Sequence, residues 1–431
     1  MTRQEFIGGA FAAAGVTILG CDNLPWPKSG GEIGVGAPYP RWRPGHFQIH
    51  MIYTGVGESQ FLIFPDGTSM LLDCGDHNAA GFGADAAPIL PDSSRHSGEW
   101  VARYVQRVNP RGRDVDYMLL THYHEDHGGS TSFHAGKAPS GRYVLSGFSQ
   151  TGEFLRFGRA IDRCWPDYAD PIPLLPQACV NVMRPFYEEL VRRGTKVEKF
   201  RLEKGSDQIV PLHGEVDGFR IEPLCANGRI LLPDGRVHDP LKDYFAATRP
   251  KTFNENGMSI GMNFVYGDFV YYTAGDMQAI VKTSDGRRID LERDMALACR
   301  RVDVAKMNHH GHEAMPSELV AKLRPRVYLA AVWNQLQLSR RTMDNVADSS
   351  LHDEPPTLMP CVIPEKRRTA DAGRPWLKLA ERAFDGGAHA VVDVPPGGKT
   401  YSVSAVSAAD ESMSVLSTRQ FQSHAIRKTK S

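Results

Sequence analysis

The feature that most constrains this chain is a short apolar strand, Val115 to Leu120, that runs straight into Thr121-His122-Tyr123-His124-Glu125-Asp126-His127-Gly128-Gly129. Such a strand belongs inside a layered sheet, buried on both faces. In extended chain the side-chain period is two, so His122 and His124 leave the strand end on one side and can grip one metal ion together. Asp126 and His127, reached after the chain turns, offer an oxygen and a nitrogen to a second metal, and Gly128-Gly129 permits a tight exit. A solvated polar loop has no need of three imidazoles and a carboxylate at the mouth of a core strand.

Hydrophobic periodicity organises the rest. A β-meander opens the domain: Phe47 to Tyr53 and Gln60 to Phe64 read as strands, Pro65-Asp66-Gly67 as a turn, and Ser69 to Asp73 as a third strand. Glu99 to Val108 has helical spacing. From Ser146 to Phe253 periodicity is weak, apart from a helix near Val182 to Arg193 and strands near Val197 to Leu202 and Phe219 to Leu224, so this section reads as an insertion that shapes the pocket. Alternation returns with strands at Ser259 to Val265, Phe269 to Ala274, Val302 to Lys306 and Val327 to Ala331, and helices near Asp290 to Cys299 and Ser317 to Leu323. A hairpin, Ala388 to Val394 and Thr400 to Val406, closes a domain expected over 45–408, and the polar stretch of 409–431 is expected to be a disordered tail.

The first twenty-one residues stand apart. Arg3 precedes an apolar, small-residue run from Phe6 to Gly20 that is too short to span a bilayer and reads as an export signal. Thr2-Arg3-Gln4-Glu5-Phe6-Ile7 resembles a twin-arginine leader with Gln4 in place of the second arginine, and Ile18-Leu19-Gly20-Cys21 resembles a lipoprotein processing site. Cys21 therefore either carries lipid, the sole membrane attachment expected, or leaves with the leader. The Pro- and Gly-rich stretch 22–44 is expected to be an extended linker, and the mature protein is expected in the periplasm or cell envelope. The six later cysteines are widely and irregularly spaced, which allows one or two disulfides and requires none. Lys plus Arg and Asp plus Glu each number 50, so no global basic field draws the chain to nucleic acid.

Three motifs carry a family resemblance. His122-x-His124-x-Asp126-His127 resembles the HxHxDH hallmark of the metallo-β-lactamase superfamily, and Tyr271-Tyr272-Thr273-Ala274-Gly275-Asp276 resembles its strand-end Gly-Asp. Lys306-Met307-Asn308-His309-His310-Gly311-His312 resembles the His-His-Gly signature of one branch, which includes the domain of the competence-type DNA-uptake protein and the phosphorylcholine esterases. Gly55 to Ser59 resembles the loop after the first strand, and Leu72-Asp73-Cys74-Gly75 the strand-end Asp-x-Gly.

The resemblance implies an α/β fold, the αββα sandwich with a middle insertion, and metals between loops at one edge of the sheets. It implies a first metal held by His122, His124 and Asp276, and a second held by Asp126, His127, Asp276 and His310, with Asp276 bridging. Asp126, Asp276 and His310 are the catalytic candidates, and Asp73 is a candidate to orient the imidazoles. His309, Asn256 and His312 are candidates to face substrate, although a solvent-facing role suits His312 as well. Many members place a third histidine on the first metal; His134, His213 and His238 are the candidates, and none lies in a convincing motif. Two divalent ions are expected, zinc first, with manganese or iron also fitting the ligands. The expected reaction is hydrolysis of a phosphodiester or phosphate-like ester, small or part of the cell envelope, by water activated between the metals. The rivals are a carboxylic ester, lactone or β-lactam hydrolase, and a metal-stabilised envelope binding or scaffold protein.

Overall fold

Alternate side chains of the opening strands β1 (Phe47–Met51), β2 (Ser59–Ile63) and β3 (Ser69–Cys74) enter two different apolar layers, and this division sets the architecture. Phe47, Ile49, Met51, Leu62, Met70 and Leu72 join a cluster that includes Met262, Phe264 and Tyr271, whereas Phe61, Ile63 and Leu71 join one that includes Val101, Val105 and Phe186. The computed structural model describes residues 33–78, 85–381 and 387–424.

After β3 come α1 (Ser97–Val108), β4 (Asp114–Leu119), the single turn α2 (Glu125–Gly128), α3 (Phe148–Phe154), β5 (Arg156–Asp162), α4 (Ala178–Arg192) and β6 (Lys196–Lys199). Next are β7 (Phe219–Ala226), β8 (Arg229–Leu231), β9 (Val237–His238), α5 (Lys242–Thr248), β10 (Gly261–Tyr266) and β11 (Phe269–Thr273). A small hairpin of β12 (Ile280–Lys282) and β13 (Arg288–Asp290) precedes α6 (Leu291–Asp294), β14 (Val304–Lys306), α7 (Ser317–Leu323), β15 (Val327–Ala330), α8 (Arg340–Val346) and β16 (Thr357–Pro360). The last strands are β17 (Ala388–Val394), β18 (Thr400–Ser407) and β19 (Val415–Gln422).

Among the described residues, nine strands form one sheet in the order β19-β18-β17-β1-β2-β3-β4-β5-β6, and eight form a second in the order β16-β15-β14-β11-β10-β7-β8-β9. Side chains of both sheets fill the layer between them, where Phe64 and Phe219 lie 4.8 Å apart and Phe47 and Phe219 5.3 Å. Residues of α1, α3 and α4 cover the first sheet, and residues of α7 and α8 cover the second. This is the mixed α/β sandwich that the sequence implied. β3 runs parallel to β4, and β11 parallel to β14, so the loops leaving their C-terminal ends carry the three motifs to one edge of the sandwich.

Several expectations need correction. The stretch 410–424 is no disordered tail: β19 pairs with β18 from Thr400↔Gln422 to Val406↔Val415, Val415 is buried, and the Phe421 ring stacks on that of Tyr401 at 5.2 Å. Nor is the described part of the expected linker, 33–44, free of the fold. Gly36 N donates to Val415 O, Val415 N to Ala37 O and Tyr39 N to Met413 O, and the Tyr39 ring is buried against His50. The middle section contributes β5 and β6 to one sheet and β7, β8 and β9 to the other; the loops 163–177 and 249–258 lie outside the sheets and bond the HxHxDH turn through Gln177 and Glu255. The six cysteines from Cys74 to Cys361 are buried and free, so none of the allowed disulfides forms among the described residues. The export signal and Cys21 lie outside the described residues, among which no helix is long and apolar enough to cross a membrane.

A chain ending after Ala409 loses β19 and the partner of residues 36–39. It is expected to melt at least about 5 °C below the full chain, a shift that calorimetry resolves.

Candidate metal centre

The HxHxDH turn is pinned from below by two other loops. Glu58 N donates to Asp126 O at 2.8 Å, and Asp76 N to Glu125 O at 3.0 Å. The approach is close enough to require glycine, since a Cβ on Gly75 would sit 1.9 Å from Asp126 O and one on Gly57 2.7 Å from it.

Asp73 organises the imidazoles. It adopts φ 59°, a left-handed conformation unusual for a non-glycine residue, at the end of β3. Its Oδ1 accepts from Thr121 N at 2.8 Å, and its Oδ2 from the Thr121 hydroxyl at 2.7 Å and from His127 Nδ1 at 2.8 Å. With its proton committed to Asp73, Thr121 Oγ1 accepts in turn from His122 Nδ1 at 3.0 Å. One carboxylate thus assigns the tautomers of His122 and His127 and leaves the Nε2 lone pair of each facing the site. His310 Nδ1 donates to Ala331 O at 2.9 Å, which does the same for a third ring.

The free nitrogens and two carboxylates converge. His310 Nε2 lies 3.0 Å from Asp126 Oδ2, 3.1 Å from Asp276 Oδ2 and 3.3 Å from His127 Nε2. His127 Nε2 lies 3.1 Å from Asp276 Oδ2 and 3.8 Å from Asp126 Oδ2. Four donors around one tetrahedral zinc, at bond lengths of about 2.0–2.2 Å, stand roughly 3.3 Å apart. Beside this set His122 Nε2 lies 3.1 Å from His124 Nδ1 and 4.0 Å from Asp276 Oδ2, so Asp276 stands between two groups of donors. Two imidazole lone pairs directed at each other repel unless a cation lies between them. The residues therefore fit a bound metal, and the buried Oδ1 of Asn256 has no hydrogen-bond partner among the described residues.

Electrostatics agree. Burial opposes charge on His127 and His310, but Asp276 and Asp126 outweigh it: His127 is held well above the ordinary range and His310 is raised to about 9. Burial likewise opposes ionisation of Asp276, yet His127, His310 and Lys306 hold its carboxyl well below the usual range. Donors that draw positive charge this strongly suit a divalent cation.

A buried ion pair supports the centre from the second sheet. Lys306 Nζ, at the end of β14, lies 2.8 Å from Glu58 Oε2 and 3.4 Å from Asp276 Oδ1, and donates to Gly275 O at 2.6 Å. Gln60 Nε2 donates to Glu58 Oε1 at 2.7 Å. Glu58, His127, Asp276 and His310 can offer four ligand atoms within 4.8 Å of one another. Glu58, however, meets His310 on its Nδ1 side at 3.4 Å and is neutralised by Lys306, whereas Asp126 meets the free Nε2. Asp126 is therefore the better fourth ligand. Sequence reading missed the roles of Glu58 and Lys306: Gly55 to Ser59 and the start of the His-His-Gly run were noticed, but no local pattern pairs residues 248 positions apart.

The loop that delivers His310 is strained. His309, His310, Glu313 and Met315 all have φ between 47° and 57°. Glu292 Oε1 accepts from Asn308 Nδ2 at 3.0 Å and from Met315 N at 2.7 Å, and Thr342, Ser339 and Asn345 bond the backbone of residues 313–315.

The structure brings His122, His124, Asp126, His127, Asp276, His310 and Asp73 together. The His309 ring lies 6.1 Å from that of His310 and 5.3 Å from that of His312, with Nδ1 of His309 buried and unpartnered; His312 bonds Leu336 O on the exposed side. Asn256 follows Glu255, whose Oε1 accepts from Tyr123 N between His122 and His124. None of the third-histidine candidates joins the site: His213 bonds Asp116, His238 meets Asp294, and His134 accepts from Gly136 N.

Residues 53–132, from the end of the first meander strand through the HxHxDH run, match the family model described as the metallo-beta-lactamase superfamily. No curated protein matches the chain. The matched segment and the buried His/Asp cluster together fit a metal-dependent hydrolase.

Two outcomes test this centre. Asp276→Ala and His310→Ala each lower the zinc retained after dialysis, read by elemental analysis, with the fold preserved by circular dichroism. Lys306→Met strands Glu58 and costs about 3–5 kcal/mol in denaturant unfolding, whereas the double variant Glu58→Gln/Lys306→Met recovers much of that loss.

Proposed function

We propose that this chain is an exported hydrolase that uses two divalent metal ions, zinc first, to cleave a phosphodiester or phosphate-like ester. The observation that carries the reading is the convergence of three tautomer-fixed imidazoles and two carboxylates at one sandwich edge, with Asp276 facing both donor groups. His122, His124 and Asp276 would hold one ion; Asp126, His127, Asp276 and His310 would hold the other. Metal ions bound there supply Lewis acidity and a water activated near neutral pH.

The chain's own residues do the rest. Asp73 keeps His122 and His127 in the ligating tautomer, and Lys306 balances the carboxylates that crowd beneath Asp276. Burial lowers the pKa of His309 to about 4, so at neutral pH its ring is neutral and can hold one N–H toward a phosphoryl or leaving-group oxygen. The choice of a phosphorus ester rests on the His-His-Gly resemblance and on this pair of imidazoles, His309 and His312, along one rim. The reading as an exported protein rests on residues 1–21 of the sequence.

Zinc-loaded protein is expected to hydrolyse bis(p-nitrophenyl) phosphate faster, by kcat/KM, than p-nitrophenyl acetate, a lactone or a β-lactam. Chelation and Asp276→Ala should each lower that rate by at least about 1000-fold. A faster rate on the acetate or lactam would move the substrate class to carboxyl esters or lactams. Asp276→Ala losing stability but no turnover would favour the scaffold reading.

A further inference from the structure

We infer that the substrate carries a compact apolar group, of the size of one aromatic ring or a short alkyl chain, which seats in a cavity beside the His122–His124 pair; this rests on the hydrolase reading above. The cavity measures about 220 Å³ and lies between the 171–177 loop and the 251–258 loop, both outside the sheets. An apolar cavity of about 150 Å³ is large enough to hold benzene.

Its position follows from Tyr123, the residue between the two histidines. Tyr123 N donates to Glu255 Oε1 at 3.0 Å, and Tyr123 O accepts from Gln177 Nε2 at 3.1 Å. Glu255 and Gln177 both line the cavity, one from each wall. Both walls of the cavity are therefore tied to the backbone of the residue between the first two donors.

Its chemistry follows from the lining. Arg163 and Glu255 bring opposite charges, but they satisfy each other: Arg163 Nε and Nη2 donate to the two Glu255 oxygens at 2.6 and 2.7 Å, and Nη1 to Asp170 O and Asn227 Oδ1. That closed pair leaves no charge for an anion to meet on that side. Lys251, which forms no ion pair among the described residues, is exposed at the rim. The walls are Ile172, Leu174, Leu175 and Pro176 on one side and Phe253 and Met258 on the other. Leu175 is 46% exposed, a large apolar side chain left facing solvent at the cavity mouth. Pro171, Pro173 and Pro176 stiffen that wall, so little chain entropy is lost when a ligand fills the space.

Binding of two probe pairs to zinc-loaded full-length protein tests this: phenylphosphonate against methylphosphonate, and phenylacetate against acetate, each by titration calorimetry. The phenyl member is expected to bind at least ten-fold more tightly in at least one pair. In Leu175→Asp and in Phe253→Ala that preference should fall below three-fold while bound zinc stays unchanged. Equal affinity within both pairs, or a preference that survives both substitutions, overturns the cavity assignment. Phenylacetate selectivity without phosphonate binding would instead overturn the phosphorus-ester reading and leave the cavity assignment standing.

Discussion

The hydrogen bonds accepted by Asp73 are the constraint on which the site depends. Three N–H and O–H groups reach this one carboxylate, and two of them end chains that terminate on His127 and, through Thr121, on His122. Were either ring to flip its tautomer, it would present an N–H where a lone pair is needed. The left-handed backbone of Asp73 is the local cost of aiming both oxygens at once, and the parallel pairing of β3 with β4 holds donor and acceptor in register. Strand order thus reaches the chemistry through a single side chain.

The second sheet contributes differently. Asp276 and His310 come from loops after β11 and β14, and what steadies them is charge and strain rather than a tautomer relay. Lys306 and Glu58 form an ion pair buried from water, costly to desolvate yet placed where it offsets the carboxylates around it. The left-handed conformations of His309, His310, Glu313 and Met315 persist because Glu292 and residues of α8 bond this loop at several points. Such over-determined strain is common where a side chain must point in one direction only.

How much of this was legible beforehand follows from the range of each interaction. His122, His124, Asp126 and His127 are neighbours in sequence, so period-two geometry placed the first two and the turn after them the other pair, and the Gly-Asp and His-His-Gly stretches were legible as motifs at strand ends. Helices α1 and α7 and the strands of the meander showed clear periodicity and lie within two residues of the expected bounds. The Lys306–Glu58 pair and the Glu292 contacts join distant segments through side chains that have no pattern of their own. β5 was missed because Arg156 and Arg159 break its apolar run, and β19 because its exposed edge is polar, as edge strands tend to be.

The donors come from both halves of the sandwich: His122, His124, Asp126 and His127 from the sheet of β4, Asp276 and His310 from that of β11 and β14. A cation held between them acts as a clasp across the seam. Sliding one sheet over the other by even an ångström would spread the donors, so occupancy and the docking of the two halves reinforce one another. The layer of phenylalanines aligns the sheets along their length, and the clasp would set their separation at the edge where the chemistry would take place.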